Sequence, residues 1–238
     1  MLETLLLLLA LMDPAPDPVG LLREADEARG NLEGVSWRVQ IDSHEAGKES
    51  SLALDVKARG YDFRGEGLEP PKFKGQTLLM LEGSMWFHKP GLSKPVPISR
   101  RQRLMGRASY GDVAATNYAG EYAGEIVGEE EIDGEPCYVF DLRAEDKKAT
   151  YDRIAYWVSK ERHVGMKAVY YTVSGKVIKS AAMDYGHTIE DGGTSRPFIS
   201  RIVIADALGG GDVTTFTFGE PGFEELPDYL FNLSLLGR

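Results

Sequence analysis

Cysteine is almost missing from this sequence: Cys137 is the only one in 238 residues. An internal disulfide is therefore impossible, which excludes the small disulfide-stapled folds. Cys137 stands between Pro136 and Tyr138 in a strand-like run, the setting of a buried structural thiol. No neighbour supplies the base that a reactive thiolate needs. Histidine is scarce too. His44, His88, His163 and His187 are never paired at metal-ligand spacing, and neither HExxH nor a His/Cys cluster occurs, so neither metal nor cofactor is expected. Basic charge is in deficit, with 27 Lys and Arg against 37 Asp and Glu and a net charge of −10. A nucleic-acid partner, which calls for a basic surface, is thereby disfavoured. No apolar run approaches the roughly 20 residues of a membrane-spanning helix. The G-x-S-x-G elbow, the P-loop and the G-x-G-x-x-G turn are all absent. Gly209 to Gly211 leads into a strand rather than a helix, and Glu129-Glu130-Glu131 reads as a solvated face. No catalytic residue is expected, and the chain is not read as an enzyme.

What is present is the composition of a globular protein, 42% hydrophobic and 27% charged. The length suits one β-rich domain with a sizeable core. Leu5 to Met12 is an unbroken apolar run, followed by Asp13-Pro14-Ala15-Pro16-Asp17-Pro18. Eight apolar residues fit the core of a secretory signal, although Glu3 and Thr4 stand where Lys or Arg is usual. The expectation is a signal peptide at 1–16, one domain at 17–238, and a periplasmic location. No cysteine closely follows the run, so lipid attachment there is not expected.

Pro18 to Arg29 carries the stripe of an amphipathic helix ended by Gly30 and Asn31. Beyond it, period-2 alternation dominates. Val35, Trp37, Val39 and Ile41 alternate with Ser36, Arg38, Gln40 and Asp42, and after the Glu45-Ala46-Gly47-Lys48 turn Leu52, Leu54 and Val56 repeat the pattern. Further strands are expected at 76–81, 84–88, 122–132, 136–143, 151–159, 166–173, 177–185, 200–208 and 212–218, with Asp133-Gly134 and Ser174-Gly175 as turns. That makes about ten or eleven strands. Residues 99–118 read as short helices or loop, and the tail as a short helix with a last edge strand. The fold class is α+β, mainly β: a curved antiparallel sheet forming an incomplete barrel, with short helices as a lid.

Three segments carry a family likeness. Met85-Trp86-Phe87-His88-Lys89-Pro90 is followed by Ile98-Ser99-Arg100-Arg101 and then by Leu104 to Val113. Tyr156 to Glu161, with Lys167 and the Gly175-Lys176 turn, follows, and Leu226 to Phe231 closes the pattern. Together they resemble the LolA-like outer-membrane lipoprotein-sorting proteins. The resemblance implies a half-open barrel in the periplasm that shelters acyl chains of lipoproteins or other lipids between membranes. An inner-membrane transporter and an outer-membrane acceptor would be its partners, and a monomer is expected.

On that reading the candidate groove is Trp37, Val39, Ile41, Leu52, Leu54, Val56 and Phe87, with Leu104, Met105 and Val113 on the lid. A single acyl chain gains about 0.8 kcal/mol per methylene sheltered from water. An alternating strand face is equally the pattern of plain core. Arg100, Arg101, Arg103 and Arg107 form a basic cluster in an acidic chain, suited to a phospholipid headgroup or membrane partner, or else to pairing with the surplus carboxylates. The alternative function is a non-catalytic periplasmic subunit of an envelope export complex of the RND or MMPL type, with a filled core.

Overall fold

The computed structural model describes residues 15–114, 116–206 and 211–236. The expected signal at 1–16 thus lies almost wholly outside the described residues. Helix α1 (Pro18–Glu27) starts where Asp17 caps it, its carboxylate accepting from Val19 N at 3.2 Å, and Pro18 takes the first turn. Leu21, Leu22 and Ala25 are its buried stripe. Gly30 follows at φ +97°, and a Cβ there would lie 2.6 Å from the Trp37 ring. Glycine at that position both turns the chain and lets the indole close over it.

Eighteen strands follow among the described residues. The first half holds β1 (Glu33–Glu45), β2 (Lys48–Arg59), β3 (Asp62–Glu69), β4 (Thr77–Leu81), β5 (Ser84–His88) and β6 (Val96–Ile98). A small hairpin, β7 (Arg103–Met105) and β8 (Ala108–Ser109), leads into one-turn helices α2 (Tyr110–Val113) and α3 (Tyr118–Glu121). The second half holds β9 (Tyr122–Ile132), β10 (Glu135–Ala144), β11 (Arg153–Ser159), β12 (Gly165–Tyr171) and β13 (Val177–Asp184). A separate hairpin, β14 (His187–Asp191) and β15 (Thr194–Phe198), precedes β16 (Arg201–Asp206), β17 (Val213–Phe218) and the short β18 (Gly222–Phe223).

Fourteen of these strands make one antiparallel sheet in the order β6-β5-β4-β3-β2-β1-β17-β16-β13-β12-β11-β10-β9, with β18 also on β1. The path runs from β6 to β9 without closing, as an incomplete barrel. Its inner face meets α1, α2 and α3 in the main core. The outer face of β4 and β5 is covered by the tail, where Leu226, Phe231 and Leu236 pack on Leu79.

All eleven expected strand segments are present. The sheet adds β3, β6 and β18. Strand β3 escaped apolar counting because two of its inward positions are Gly65 and Gly67, and glycine is a poor strand signal. The register puts Gly65 opposite Val56 and Gly67 opposite Leu54. A Cβ on Gly67 would sit 2.1 Å from the Phe73 carbonyl oxygen, so glycine there admits a second backbone. The tail differs from expectation: it is two 3-10 turns, Asp228–Phe231 and Leu233–Leu235, and the short edge strand precedes them. Residues 99–118 contain the β7–β8 hairpin as well as helix.

Gly67→Ala should destabilise the protein by about 1–3 kcal/mol, because the obstructing atom is backbone and cannot rotate away. Gly128→Ala on β9, where a Cβ meets nothing within 4 Å, should change stability by less than about 0.5 kcal/mol. Urea titration of both variants measures the contrast.

Candidate functional site

The pairing register sets out the inner face row by row. Trp37 opposes Val56, Val56 opposes Gly65, Gly65 opposes Leu78, and Leu78 opposes Phe87. In the next rows Val39 opposes Leu54, and Ile41 opposes Leu52. All seven candidate groove residues therefore share one face. Trp37, Val39, Ile41, Leu52, Leu54 and Val56 are buried in the main core, and Phe87 packs against it half-buried. Val113 is buried, while Leu104 and Met105 are half-buried. Sheet and hairpin do not close fully. Leu52, Leu54, Leu78, Phe87, Leu104 and Tyr110 line a cavity of about 70 Å³ over Gly65 and Gly67. Thus Leu52, Leu54, Phe87 and Leu104 come together at open space. Trp37 lies elsewhere, edge-on to Phe198 at 5.6 Å between ring centroids.

The hairpin β7–β8 is pinned from below. Gly106 has φ +52°, and a Cβ there would lie 1.9 Å from Ser43 Oγ. Each of the four candidate arginines has a carboxylate partner. Arg103 meets Glu45 at 3.1 Å, and Arg107 meets Asp206 and Asp212 at 2.8 Å each. Arg101 donates to Asp152 and the Ala149 carbonyl, both at 2.9 Å. Arg100 is only 5% exposed. It grips Glu121 with two bonds of 2.5 and 3.0 Å and also donates to the Lys148 carbonyl and the Tyr61 hydroxyl. These side chains do not form one free basic patch. Arg101 and Arg103 keep exposed faces, whereas Arg100 is committed to the fold.

The inner face is apolar on one half only. Over β11, β12 and β13 it carries tyrosines and charge. Asp112 on α2 accepts from Lys179 Nζ and from the Tyr151 hydroxyl, both at 2.6 Å, and also from Ser109 N at 2.6 Å. Lys179 is 3% exposed, and its second bond goes to the Arg107 carbonyl at 2.8 Å. The Tyr151 ring stacks on Tyr170 at 4.1 Å, and Tyr118 stands edge-on to Tyr156 at 5.2 Å. Arg29 lies over the Tyr118 ring at 5.5 Å. Asp26 accepts from Ala119 N at 2.9 Å and so ties α1 to α3. Burial pushes its carboxyl up to about 6, against the pull of that amide and of Arg29. Burial likewise pushes the Cys137 thiol up, away from a reactive thiolate.

Apolar counting did not find this polar half, although it left a mark in the sequence. Asp26 and Arg29 follow Leu22 and Ala25 at a spacing of four, on the apolar side of α1. In β13 the apolar Val177 and Ile178 are exposed while Lys179 is buried. Among the described residues no group of three or more His, Cys, Asp or Glu is placed to hold a metal. No described helix is long and apolar enough to cross a membrane.

Comparison with solved structures decides the family. A LolA superfamily protein from Nitrosomonas europaea is 30% identical, with a TM-score of 0.81, over 93% of this chain and 100% of that one. This chain belongs to the LolA superfamily. Two more distant structures share the fold of this LolA superfamily member. A putative outer membrane lipoprotein-sorting protein domain from Vibrio parahaemolyticus is 15% identical at a TM-score of 0.78, over 93% and 98% of the two chains. A DUF1329 family protein from Desulfovibrio piger is 19% identical at 0.77, over 93% and 100%. A family model described as "Uncharacterized protein" matches residues 66–238. A search of curated proteins gave no match.

Within this LolA-superfamily frame the two kinds of ion pair should behave differently. Glu121→Leu strands the buried Arg100 and should cost about 3–5 kcal/mol. Arg103→Gln, at a side chain 68% exposed, should cost less than about 1 kcal/mol. Chemical denaturation of the two variants tests this.

Asp26 predicts a pH dependence. Between pH about 4 and 6 the folded protein holds a proton that the unfolded chain has released. The group therefore favours the folded state below that window and costs stability as pH rises through about 6. Asp26→Asn, which keeps an acceptor for Ala119 N, should match the parent's melting temperature near pH 4 and exceed it at pH 7.5. Equal melting temperatures at both pH values would contradict the assignment.

Proposed function

We propose that this protein is a periplasmic carrier that binds the acyl chains of a lipoprotein or another lipid and moves it between the inner and outer membranes. The observation that carries the reading is the apolar cavity under the β7–β8 hairpin. It lies on the apolar face that strand alternation marks out, in a fold shared with a lipoprotein-sorting domain. Of the candidate residues, Leu52, Leu54, Phe87 and Leu104 border this cavity, and Trp37, Val39, Ile41, Val56, Met105 and Val113 belong to the same groove only if it widens. Size sets a condition. An apolar cavity of about 150 Å³ admits a benzene ring. The present 70 Å³ is under half of that, so a chain enters only when the hairpin lifts. Exposed Arg101 and Arg103 are the basic groups placed to meet a lipid headgroup or a membrane surface, and no catalytic step is part of this function.

The deep burial of Val39, Ile41 and Val56 favours a second reading, a filled-core accessory subunit of an envelope export complex. Native mass spectrometry after mild purification separates the two. Co-purifying lipid supports the carrier; a clean protein mass with no uptake of a fluorescent fatty acid supports the subunit.

For the carrier, Leu104→Trp should fill the cavity and lower fatty-acid uptake at least tenfold with an unchanged circular dichroism spectrum. Arg101→Gln with Arg103→Gln should weaken capture by anionic vesicles and leave folding intact. Unchanged uptake and unchanged capture would remove these residues from the site.

A further inference from the structure

The polar half of the inner face holds buried donors that nothing in the fold satisfies. Among the described residues, Arg29 Nη1, Tyr156 OH, Tyr185 OH and Trp37 Nε1 have no hydrogen-bond partner, while Thr116 Oγ1 and Asp26 Oδ1 make no bond of normal geometry although they neighbour each other. These atoms belong to one neighbourhood. Arg29 sits over Tyr118, Tyr118 stands against Tyr156, and the Trp37 ring lies on Gly30, next to Arg29. Tyr156 OH rests on Gly165, 1.7 Å from where a Cβ would be. Any side chain there would expel the hydroxyl.

Each buried polar group without a partner costs about 1–3 kcal/mol. A guanidinium costs more than a neutral group. A cluster of them calls for an occupant. Its chemistry follows from the inventory. Arginine and tryptophan nitrogens only donate, and the three hydroxyls can donate. Asp26 contributes the one unmatched carboxylate oxygen, and its raised pKa leaves part of its population protonated, as a further donor, near pH 6, while the hydroxyls can turn their protons toward an acceptor. Donors in excess around one fixed cation suit an oxyanion, for which arginine's planar fork is the usual partner.

Open clefts flank α1 on both sides, and Asp26 is the group of the polar cluster that reaches one of them. Glu24, Glu27, Ala28, Arg162 and Val164 line one of about 450 Å³, Ala28 and Val164 being the chain neighbours of Arg29 and Gly165. Asp26, Asn31, Asn117 and Ala119 border another of about 540 Å³. Arg162 and Arg196 stand in the walls of the first.

We propose that Arg29, with Tyr156, Tyr185 and Thr116 around it, is a buried seat for an oxyanion, the carboxylate or phosphate head of an amphipathic lipid whose chain occupies the apolar half of the same face. This rests on the carrier reading for the chain and on the unsatisfied donors for the head. The seat is faced by Asp26 from α1, Tyr118 from α3, Tyr156 from β11, Tyr170 from β12 and Tyr185 beyond β13.

The test is calorimetric titration of the purified protein with dodecanoate, with 1-dodecanol and with inorganic phosphate, repeated on Arg29→Gln, Arg29→Lys and Tyr156→Phe. The expected result is dodecanoate bound at least tenfold more tightly than dodecanol. Arg29→Gln should bring the two to parity, Arg29→Lys should restore part of the preference, and Tyr156→Phe should reduce it several-fold. If Arg29→Gln does not fold, the Tyr156→Phe result decides. Equal binding of dodecanoate and dodecanol, unaffected by these variants, overturns the seat and leaves the carrier standing. Phosphate binding that needs Arg29, without binding of either chain, supports the seat and removes the carrier. No binding of any probe overturns both, the donors then being met by ordered water alone.

Discussion

The pair between Asp112 and Lys179 is the fastening on which the inner face depends. One carboxylate on a one-turn helix receives a lysine from β13, a tyrosine hydroxyl and its own helix-capping amide, all at 2.6 Å. The same lysine holds the Arg107 carbonyl at the turn of the β7–β8 hairpin. Hairpin, helix and sheet floor thus meet in one buried charged node. A sheet that curls without closing leaves its inner face to be covered by whatever short segments the chain can spare. Segments this short contribute little area, so charge-assisted bonds take over part of the role that a longer helix would fill by apolar packing.

That solution divides the inner face. The rows through Val39, Leu54 and Gly67, and through Ile41 and Leu52, are apolar and end at the open cavity. The rows over β11 to β13 carry tyrosine rings, each apolar in body and polar at the tip, which pack as core and still present hydroxyls inward. A purely structural core would match every inward donor, because half-satisfied polar networks cost more than apolar ones. Most of the unmatched polar atoms lie near Arg29, and Arg100 Nε and Arg107 Nε are the others.

Strand alternation made the apolar half legible from sequence. Val35 to Ile41 and Leu52 to Val56 spell out a face, and the register confirms that they share it. Strand β3 was illegible because glycine was selected for room rather than for burial: Gly65 accepts the Phe63 ring and Gly67 the Phe73 backbone. The arginine cluster was visible as composition, yet proximity in sequence did not mean proximity in role. Arg100 turns inward to Glu121, and Arg103 turns outward to Glu45. The polar half was the least legible part. Its members, Asp26, Arg29, Asp112, Lys179 and the tyrosines, are scattered along the chain and meet only when the sheet pairs and the short helices close over it. What marked them locally was a polar residue at an apolar phase, a signal that a search for apolar periodicity discards.

The node also limits how the cavity can open. Separating a buried ion pair leaves two uncompensated charges and costs about 3–5 kcal/mol. At 1.4 kcal/mol per decade, a state with Asp112 and Lys179 parted is populated at roughly one part in 10²–10⁴. Opening that preserves the pair is far cheaper, and the geometry offers one. The β7–β8 hairpin is held at its turn by Gly106 against Ser43 and by Arg107 on Asp206 and Asp212, and at its open end by Arg100 on Glu121 and Arg101 on Asp152, whereas Leu104 meets the cavity with its side chain alone. Arg103 with Glu45 is a largely exposed pair, worth little in water. Under the proposed function, an opening that keeps Asp112 with Lys179 and gives up the Arg103–Glu45 pair would uncover Leu52, Leu54 and Phe87 at lower cost than one that parts the buried pair.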